Sequence, residues 1–127
     1  MHRDALPQAA EHFIEWYRSR GQAWLQQRVA RLAARLVVEP GEVIVRDLGF
    51  RWGSCGKEGD LYFHWRIACL PPRFIDYVVV HELAHLHEAH HNDDYWRRVA
   101  RAMPDYGERK RWLAENGRLY ALEFVGR

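Results

Sequence analysis

Apolar positions divide the chain into helical and extended segments. In residues 8–36 apolar side chains recur three and four positions apart, with Arg and Gln between them, which predicts one long helix or a helix broken at Gly21. The sequence Pro40-Gly41 marks a turn, and Val-Ile-Val at 43–45 predicts a short strand. Residues 61–67 alternate between apolar and polar side chains, the pattern of a strand with two different faces. These strands together predict a small antiparallel sheet.

The second half of the chain is predicted to be mainly helical. Pro72 suits the first turn of a helix, where its missing N–H would have no partner anyway, and residues 72–88 are apolar on most sides. The three valines at 78–80 favour a strand, so local propensity alone leaves this segment ambiguous. A further helix is expected to be capped by one of the polar residues 92–94, and a last helix is expected over residues 105–117. We therefore expect an α+β fold.

The length and composition of the chain restrict its class. The 127 residues, 48% of them apolar, predict one folded domain over 1–127 with a single core. No apolar run is longer than four residues, the length of the run at 77–80, which is far shorter than the roughly 20 residues of a membrane-spanning helix, so no membrane segment is expected. The N-terminus lacks a secretory signal pattern, and Cys55 and Cys69 are expected to be free thiols. These features favour a cytoplasmic protein.

The charge of the chain argues against a protein that mainly binds nucleic acid. The formal net charge is only +2. Basic residues nevertheless form two dense groups, which are Arg28, Arg31 and Arg35 in the first helix and Arg97, Arg98, Arg101, Arg109, Lys110 and Arg111 near the C-terminus. Amphipathic helices commonly carry such rows as solvated charge. Nucleic-acid binding therefore remains an alternative rather than the main expectation.

The histidines are unevenly distributed and carry the strongest chemical signal. The chain has eight, and five of them fall within eleven residues: His81, His85, His87, His90 and His91. The segment His81-Glu82-Leu83-Ala84-His85 has the H-E-x-x-H pattern. On an α-helix two residues four apart differ by about 40° and about 6 Å, so both imidazoles can bind one metal ion, whereas in a strand they would be about 13 Å apart. The motif therefore predicts that residues 72–88 are helical, with Glu82 beside the metal.

The third metal ligand is not determined by the pattern. A catalytic zinc usually has three protein ligands and one water. Glu88 would stay on the correct face of a continuing helix, while His91 can bind only if the helix ends and the chain folds back. The spacing of 81, 85 and 91 is that of the metzincins, although Glu88 stands where that pattern has glycine and no Met-turn is evident. His87 and His90 are expected to be solvated neighbours.

Several motifs together resemble a known family. They are R-W-G-S-C at 51–55, F-H-W-R at 63–66, V-H-E-L-x-H-L at 80–86, His91, and Tyr95-Trp96. Over residues 8–113 the chain resembles the YgjP-like metal-dependent hydrolases. The resemblance implies a minimal zincin-like metallopeptidase domain, in which a small antiparallel sheet packs on a central H-E-x-x-H helix with flanking N- and C-terminal helices. It also implies that His91 is the third ligand, that Arg51 and Trp52 organise the loop beside the site, and that SprT-like proteases are more distant relatives.

The expected function is that of a zinc metallopeptidase. Zn²⁺ held by His81, His85 and His91 would activate a water, and Glu82 would act as general base and then protonate the leaving amine. The substrate would be a peptide or protein, for which the strand at 61–67 offers strand addition unless the sheet buries it. The alternatives are a SprT-like nucleic-acid-associated protease and a non-catalytic zinc-stabilised module that binds nucleic acid.

A peptidase also needs a group that stabilises the oxyanion of the transition state. Five side chains are possible oxyanion donors, namely Tyr62, His64, Arg66, Tyr95 and Tyr106. Cys55 is expected to be a buried structural thiol rather than a metal-bound thiolate. The sequence predicts neither the physiological substrate nor the oligomeric state.

Overall fold

A computed structural model describes residues 11, 15, 21–49 and 51–117 of the protein, and these form an α+β structure as predicted. The helices are α1 (Gln22–Leu36), α2 (Pro72–Ala84), α3 (Asp93–Ala102) and α4 (Tyr106–Asn116). The strands are β1 (Val43–Arg46), β2 (Gly53–Cys55) and β3 (Leu61–His64), and a 3-10 helix covers Trp65–Cys69. Most of the predicted first helix before Gly21 lies outside the described residues. Within the described residues, no helix has the length and apolar character needed to cross a membrane.

The sheet is mixed, so the prediction of an antiparallel sheet is wrong for one of its two strand pairs. The strand order is β1-β3-β2. The pair β2–β3 is an antiparallel hairpin in which Gly56 N–H donates to the carbonyl of Asp60 at 2.8 Å, whereas β1 and β3 are parallel. Because β2 pairs with one edge of β3, β1 pairs with the other edge. The chain reverses its direction between β1 and β2 and again between β2 and β3, so β1 and β3 run parallel. The segment Gly53-Ser54-Cys55 is thus an edge strand of the sheet.

β3 ends at His64, three residues before the predicted end of the strand. The ring Nδ1 of His64 accepts the backbone N–H of Arg66 at 3.1 Å and so caps the 3-10 helix. A local hydrogen bond of this kind offers the backbone an alternative to a strand ladder. Ile67, the apolar residue that suggested a longer strand, lies in the 3-10 helix and is only 2% exposed there. Its burial therefore does not require the strand to continue.

Helix α2 is the central element of the fold, as the motif predicted. It begins at Pro72, and every residue from 74 to 84 is buried. The helix packs against α1, α3, α4 and β2. The Arg28 guanidinium on α1 forms a bidentate salt bridge with the carboxylate of Asp76, and this contact joins α1 to α2. The H-E-x-x-H motif therefore lies in the core of the protein, on its most buried helix.

The end of α2 differs from the prediction of a helix over 72–88. Helix α2 ends at Ala84, and the N–H of His85 donates to the carbonyl of Glu82 at 3.1 Å, a tighter turn than an α-helix makes. The hydroxyl of Tyr95 donates to the carbonyl of His81 at 2.7 Å, where an α-helix would have used the His85 N–H. Asn92 Oδ1 then accepts the N–H of Tyr95 at 2.9 Å and caps α3, so the chain folds back toward α2.

Candidate metal centre

Three histidines meet at the end of helix α2. One ligand atom from each of His81, His85 and His91 lies within 4.8 Å of the others. His81 is fully buried, His85 is partly buried and His91 is exposed. Glu88 is not part of this group, because α2 ends at Ala84 and the turn that follows brings His91 to the ligand position instead. The fold thus supplies the chain reversal that His91 requires.

The chemistry of these donors fits a divalent metal. Tetrahedral zinc has Zn–N distances of about 2.0 to 2.1 Å, which separates ligand nitrogens by about 3.4 Å, so small side-chain movements would close the group on one ion. The ring Nδ1 of His85 lies 3.1 Å from the carbonyl oxygen of Glu88. A carbonyl only accepts, so Nδ1 carries the proton and the lone pair lies on Nε2. Such a backbone partner fixes the tautomer and orientation of a ligating histidine.

Aromatic side chains enclose the histidines. The ring centroid of Tyr95, which is fully buried, lies 4.7 Å from that of His85 and 4.9 Å from that of His91. Trp96 stacks on His91 at 5.9 Å with an interplanar angle of 27°. The hydroxyl of Tyr77 lies 3.4 Å from Nδ1 of His81. Burial raises the pKa of Tyr77 and of Tyr95 well above the usual value, so both phenols are neutral. Residues on α2 and α3 therefore position all three imidazoles.

Glu82 lines the same cleft as His85 and His91. Its side chain is 3% exposed, and Gly53 of β2 lies directly behind it, because a Cβ atom at residue 53 would be 3.0 Å from Glu82 Cγ. A cleft of about 490 Å³ runs between β2 and the histidines. It is lined by Arg51, Gly53, Ser54, Cys55, Gly56, Lys57, Glu82, His85, Ala89 and His91. The R-W-G-S-C segment thus forms one wall of the cleft, apart from Trp52, which is buried in the core.

None of the five expected oxyanion donors is among the described residues that line this cleft. The Tyr95 hydroxyl donates to the carbonyl of His81, and the two ring nitrogens of His64 face Arg66 N and, at 3.4 Å, Asp47 Oδ1. The cations that do line the cleft are Arg51 and Lys57. Our sequence interpretation gave Arg51 only a role in organising the loop and did not consider Lys57. Arg51 and Lys57 flank the Gly-Ser-Cys segment, and this placement is the sequence feature that could have indicated that they line the cleft.

Strand β3 does not offer an edge for a substrate peptide. It pairs with β1 on one side and with β2 on the other, so both of its hydrogen-bonding edges are used. The expectation of strand addition at 61–67 is therefore wrong. Among the described strands that border the cleft, β2 is paired on one side only, with β3.

The two cysteines are free thiols, as predicted, and they lie in different surroundings. Cys55 is half-buried and lines the cleft, whereas Cys69 is exposed. Burial, together with the nearby carboxylates of Glu82 and Asp60, raises the pKa of Cys55 to about 11. The thiol of Cys55 is therefore protonated at neutral pH.

Most of the basic groups that suggested nucleic-acid binding have partners within the protein. Besides the Arg28–Asp76 ion pair, these contacts join Arg97 to Asp94, Arg109 to Asp105, Arg35 to the carbonyl of Ala102, and Lys110 to the ring of Trp96. This pattern is typical of solvated helix faces. Nucleic-acid binding stays the alternative interpretation of the sequence, not the favoured one.

Comparison with known proteins agrees with the geometry of the site. The family profile described as "YgjP-like, metallopeptidase domain" matches residues 2–116. A search of curated proteins finds no match. Among solved structures, the crystal structure of the metallopeptidase zymogen of Pyrococcus abyssi abylysin is similar, with a TM-score of 0.68 and 24% sequence identity over 80% of this chain and 99% of that chain. This likeness concerns the fold. Because the profile extends over nearly the whole chain and includes the histidine cluster, the protein belongs to the YgjP-like family of metal-dependent peptidases.

Proposed function

We propose that the protein is a zinc-dependent peptidase in which His81, His85 and His91 hold the metal and Glu82 is the general base. The observation that carries this proposal is the meeting of three imidazole ligand atoms within 4.8 Å beside a cleft that Glu82 also lines. Three neutral nitrogen donors with one side open to a cleft are typical of catalytic zinc sites rather than structural ones, which usually include cysteine.

The residues of the site would divide the work of hydrolysis among them. When bound, the metal would lower the pKa of a coordinated water to about 7 and polarise the substrate carbonyl. Glu82 would accept the proton of that water and deliver it to the leaving amine. Its position next to His81 on α2, with Gly53 directly behind it, restricts the carboxylate to the cleft. An extended peptide would lie along the edge of β2, which forms the opposite wall.

Metal content and hydrolysis measured in matched variants test this proposal. Wild type should contain one equivalent of zinc and cleave casein or a quenched fluorescent peptide. Glu82→Gln should retain the zinc and lose at least about 100-fold in kcat, because general bases contribute on this scale. His91→Ala should lose the metal. Absence of a stoichiometric divalent metal in wild type, or a wild-type rate for Glu82→Gln, would refute the proposal.

Glu88→Gln is the matched control, since it removes a carboxylate that lies between His85 and His91 in the chain. Its backbone carbonyl, which contacts His85, is retained. We expect this variant to keep both metal and activity. Loss of the metal from Glu88→Gln, with retention by His91→Ala, would assign the third ligand to Glu88 instead.

A further inference from the structure

We propose that Arg51 and Lys57 form a carboxylate-binding subsite of the cleft, so that its preferred substrates are peptides with a carboxylate near the scissile bond. This inference rests on the peptidase function proposed above. Both residues line the cleft that also contains Glu82, and both are exposed. Arg51 precedes strand β2 by two residues and Lys57 follows it by two, so one cation lies at each end of that strand.

The charges of Arg51 and Lys57 are not neutralised within the described part of the chain. Neither side chain has an ion pair or hydrogen bond with another described residue. Other basic side chains of the fold do have carboxylate partners, as Arg28 has Asp76 and Arg97 has Asp94. Cations in the wall of a concave cleft are less fully solvated than cations in open water. The positive charges of Arg51 and Lys57 therefore act on a molecule that binds in the cleft.

The placement of the two cations matches an extended peptide. A strand rises about 3.3 Å per residue, so a peptide lying along the three residues of β2 would extend toward Arg51 at one end and Lys57 at the other. A guanidinium binds a carboxylate through two parallel hydrogen bonds, and an ammonium attracts it as a point charge. The carboxylate can come from an Asp or Glu side chain or from the C-terminus of the substrate, since the chemistry of recognition is the same.

A peptide suits this cleft better than a nucleic acid. The cleft also contains the carboxylate of Glu82, and its volume is about 490 Å³. A polyanion that follows a continuous basic track would meet the Glu82 charge there, whereas a peptide brings one or two carboxylates and a neutral backbone between them. The observations therefore favour the peptide.

Four peptides and three variants test the subsite. The peptides share one quenched fluorescent sequence, with Asp or Asn beside the cleaved bond and with a free or an amidated C-terminus. In wild type, carboxylate peptides should have a kcat/KM about tenfold higher or more, the effect of one charge-assisted hydrogen bond. Arg51→Gln and Lys57→Gln should lose this preference. The control Arg111→Gln, an exposed arginine on α4 outside the cleft, should keep it.

The two sources of the carboxylate give different results in this set. A preference that disappears on amidation identifies the C-terminus, and one that disappears on changing Asp to Asn identifies a side chain. Binding provides a readout independent of turnover. In the Glu82→Gln background, the Kd of the carboxylate peptides, measured by fluorescence anisotropy, should rise when Arg51 is also changed to Gln.

The outcomes separate this inference from the peptidase function. Equal kcat/KM for all four peptides in wild type would overturn the subsite and leave the peptidase in place. If the metal-loaded protein cleaves no peptide, the peptidase proposal fails, and equal Kd values for acidic and neutral peptides would then overturn the subsite separately. Salt-sensitive binding of single-stranded DNA that Arg51→Gln abolishes, without any peptide preference, would assign these cations to phosphates and overturn the proposal.

Discussion

Gly53 of strand β2 lies against the side chain of Glu82 on helix α2, so close that a Cβ atom at residue 53 would be tightly packed against it. A Cβ at residue 53 would be 3.0 Å from Glu82 Cγ, 3.2 Å from Glu82 Oε2 and 3.2 Å from Val78 Cγ1. Real Cβ atoms are seldom this close to a neighbour, so a methyl group at this position would require the side chain of Glu82 or Val78 to shift by a few tenths of an ångström. The glycine of the R-W-G-S-C segment therefore lets strand β2 pack closely against the Glu82 side chain.

Replacing this glycine should impair catalysis without removing the metal. We expect Gly53→Ala to lower kcat by about 3- to 10-fold, because Glu82 would have to shift by a few tenths of an ångström and catalysis depends steeply on the position of a catalytic group. Metal content should remain stoichiometric, since the nearest atoms to the new methyl group belong to Glu82 and Val78. Steady-state kinetics and elemental analysis measure the two quantities.

Gly107→Ala is the matched control for this substitution. Residue 107 lies in helix α4, and a Cβ there would meet nothing within 4 Å. The change should leave kcat unaltered and raise the free energy of unfolding by at most about 0.5 kcal/mol, because alanine is the better helix former but residue 107 lies in the first turn of α4. If Gly53→Ala is as active as Gly107→Ala, the contact does not restrain Glu82.

The local part of the fold could be predicted from the sequence. Pro72 and the spacing of His81 and His85 indicated a helix in a segment whose three valines favoured a strand, and α2 agrees with the helix. The sheet was less predictable because pairing depends on residues distant in sequence. The segment Gly53-Ser54-Cys55 has no apolar alternation, and its role as an edge strand follows only from its pairing with β3.

The candidate site, like the fold, could be predicted from the sequence only in its local part. His81 and His85 share a helix face, so their proximity followed from helix geometry alone. The approach of His91 depends on the early end of α2 and on the cap that Asn92 forms, and the pattern left Glu88 open as an alternative ligand. The hydroxyl of Tyr95 reaches the carbonyl of His81 across fourteen positions of sequence, a contact that no local pattern indicates.

Tyr95→Phe should distinguish a structural role of this hydroxyl from a catalytic one. The variant keeps the ring beside His85 but leaves the His81 carbonyl without its hydroxyl donor, which should lower the free energy of unfolding by about 1 to 2 kcal/mol. An oxyanion donor would contribute about 100-fold or more to kcat. We expect kcat to fall by less than about tenfold, which is clearly less than the loss of an oxyanion donor would cause. Urea unfolding and steady-state kinetics supply the measurements, with Tyr62→Phe as the control that should behave as wild type.

Trp96 should contribute to metal affinity through His91. His91 is exposed and stacks on Trp96, so Trp96→Leu removes a surface that orients the imidazole. Residues that orient metal ligands typically contribute about 10- to 100-fold to affinity, and we expect Trp96→Leu to raise the Kd for zinc by such a factor in competition with a chromogenic chelator. Trp112 stacks on Phe74 at 3.8 Å instead. Trp112→Leu should lower stability but not zinc affinity, and an equal loss of affinity in both variants would contradict the role of Trp96.

The stability of the protein should fall in acid partly because of His64. Burial lowers the pKa of His64 below its usual value of 6.5, and the neutral ring accepts the N–H of Arg66 through Nδ1. Below about pH 6.5 the unfolded chain binds a proton at this residue that the folded protein does not. The stability contributed by His64 is therefore complete above this pH and is lost as the pH falls through the folded pKa, by up to about 1.4 kcal/mol per pH unit.

His64→Asn tests this effect, because its amide oxygen can still accept from Arg66 but does not titrate. Urea unfolding at about pH 7.5 and about pH 5.5, with a chelator present throughout, gives the loss of stability of each protein between the two pH values. All other residues are the same in both proteins, so their contributions to the pH dependence cancel in the difference. We expect His64→Asn to lose less stability than wild type on acidification. An equal loss would mean that the buried ring accepts a proton as readily as the unfolded chain does, and that the cap on the 3-10 helix does not depend on the neutral imidazole.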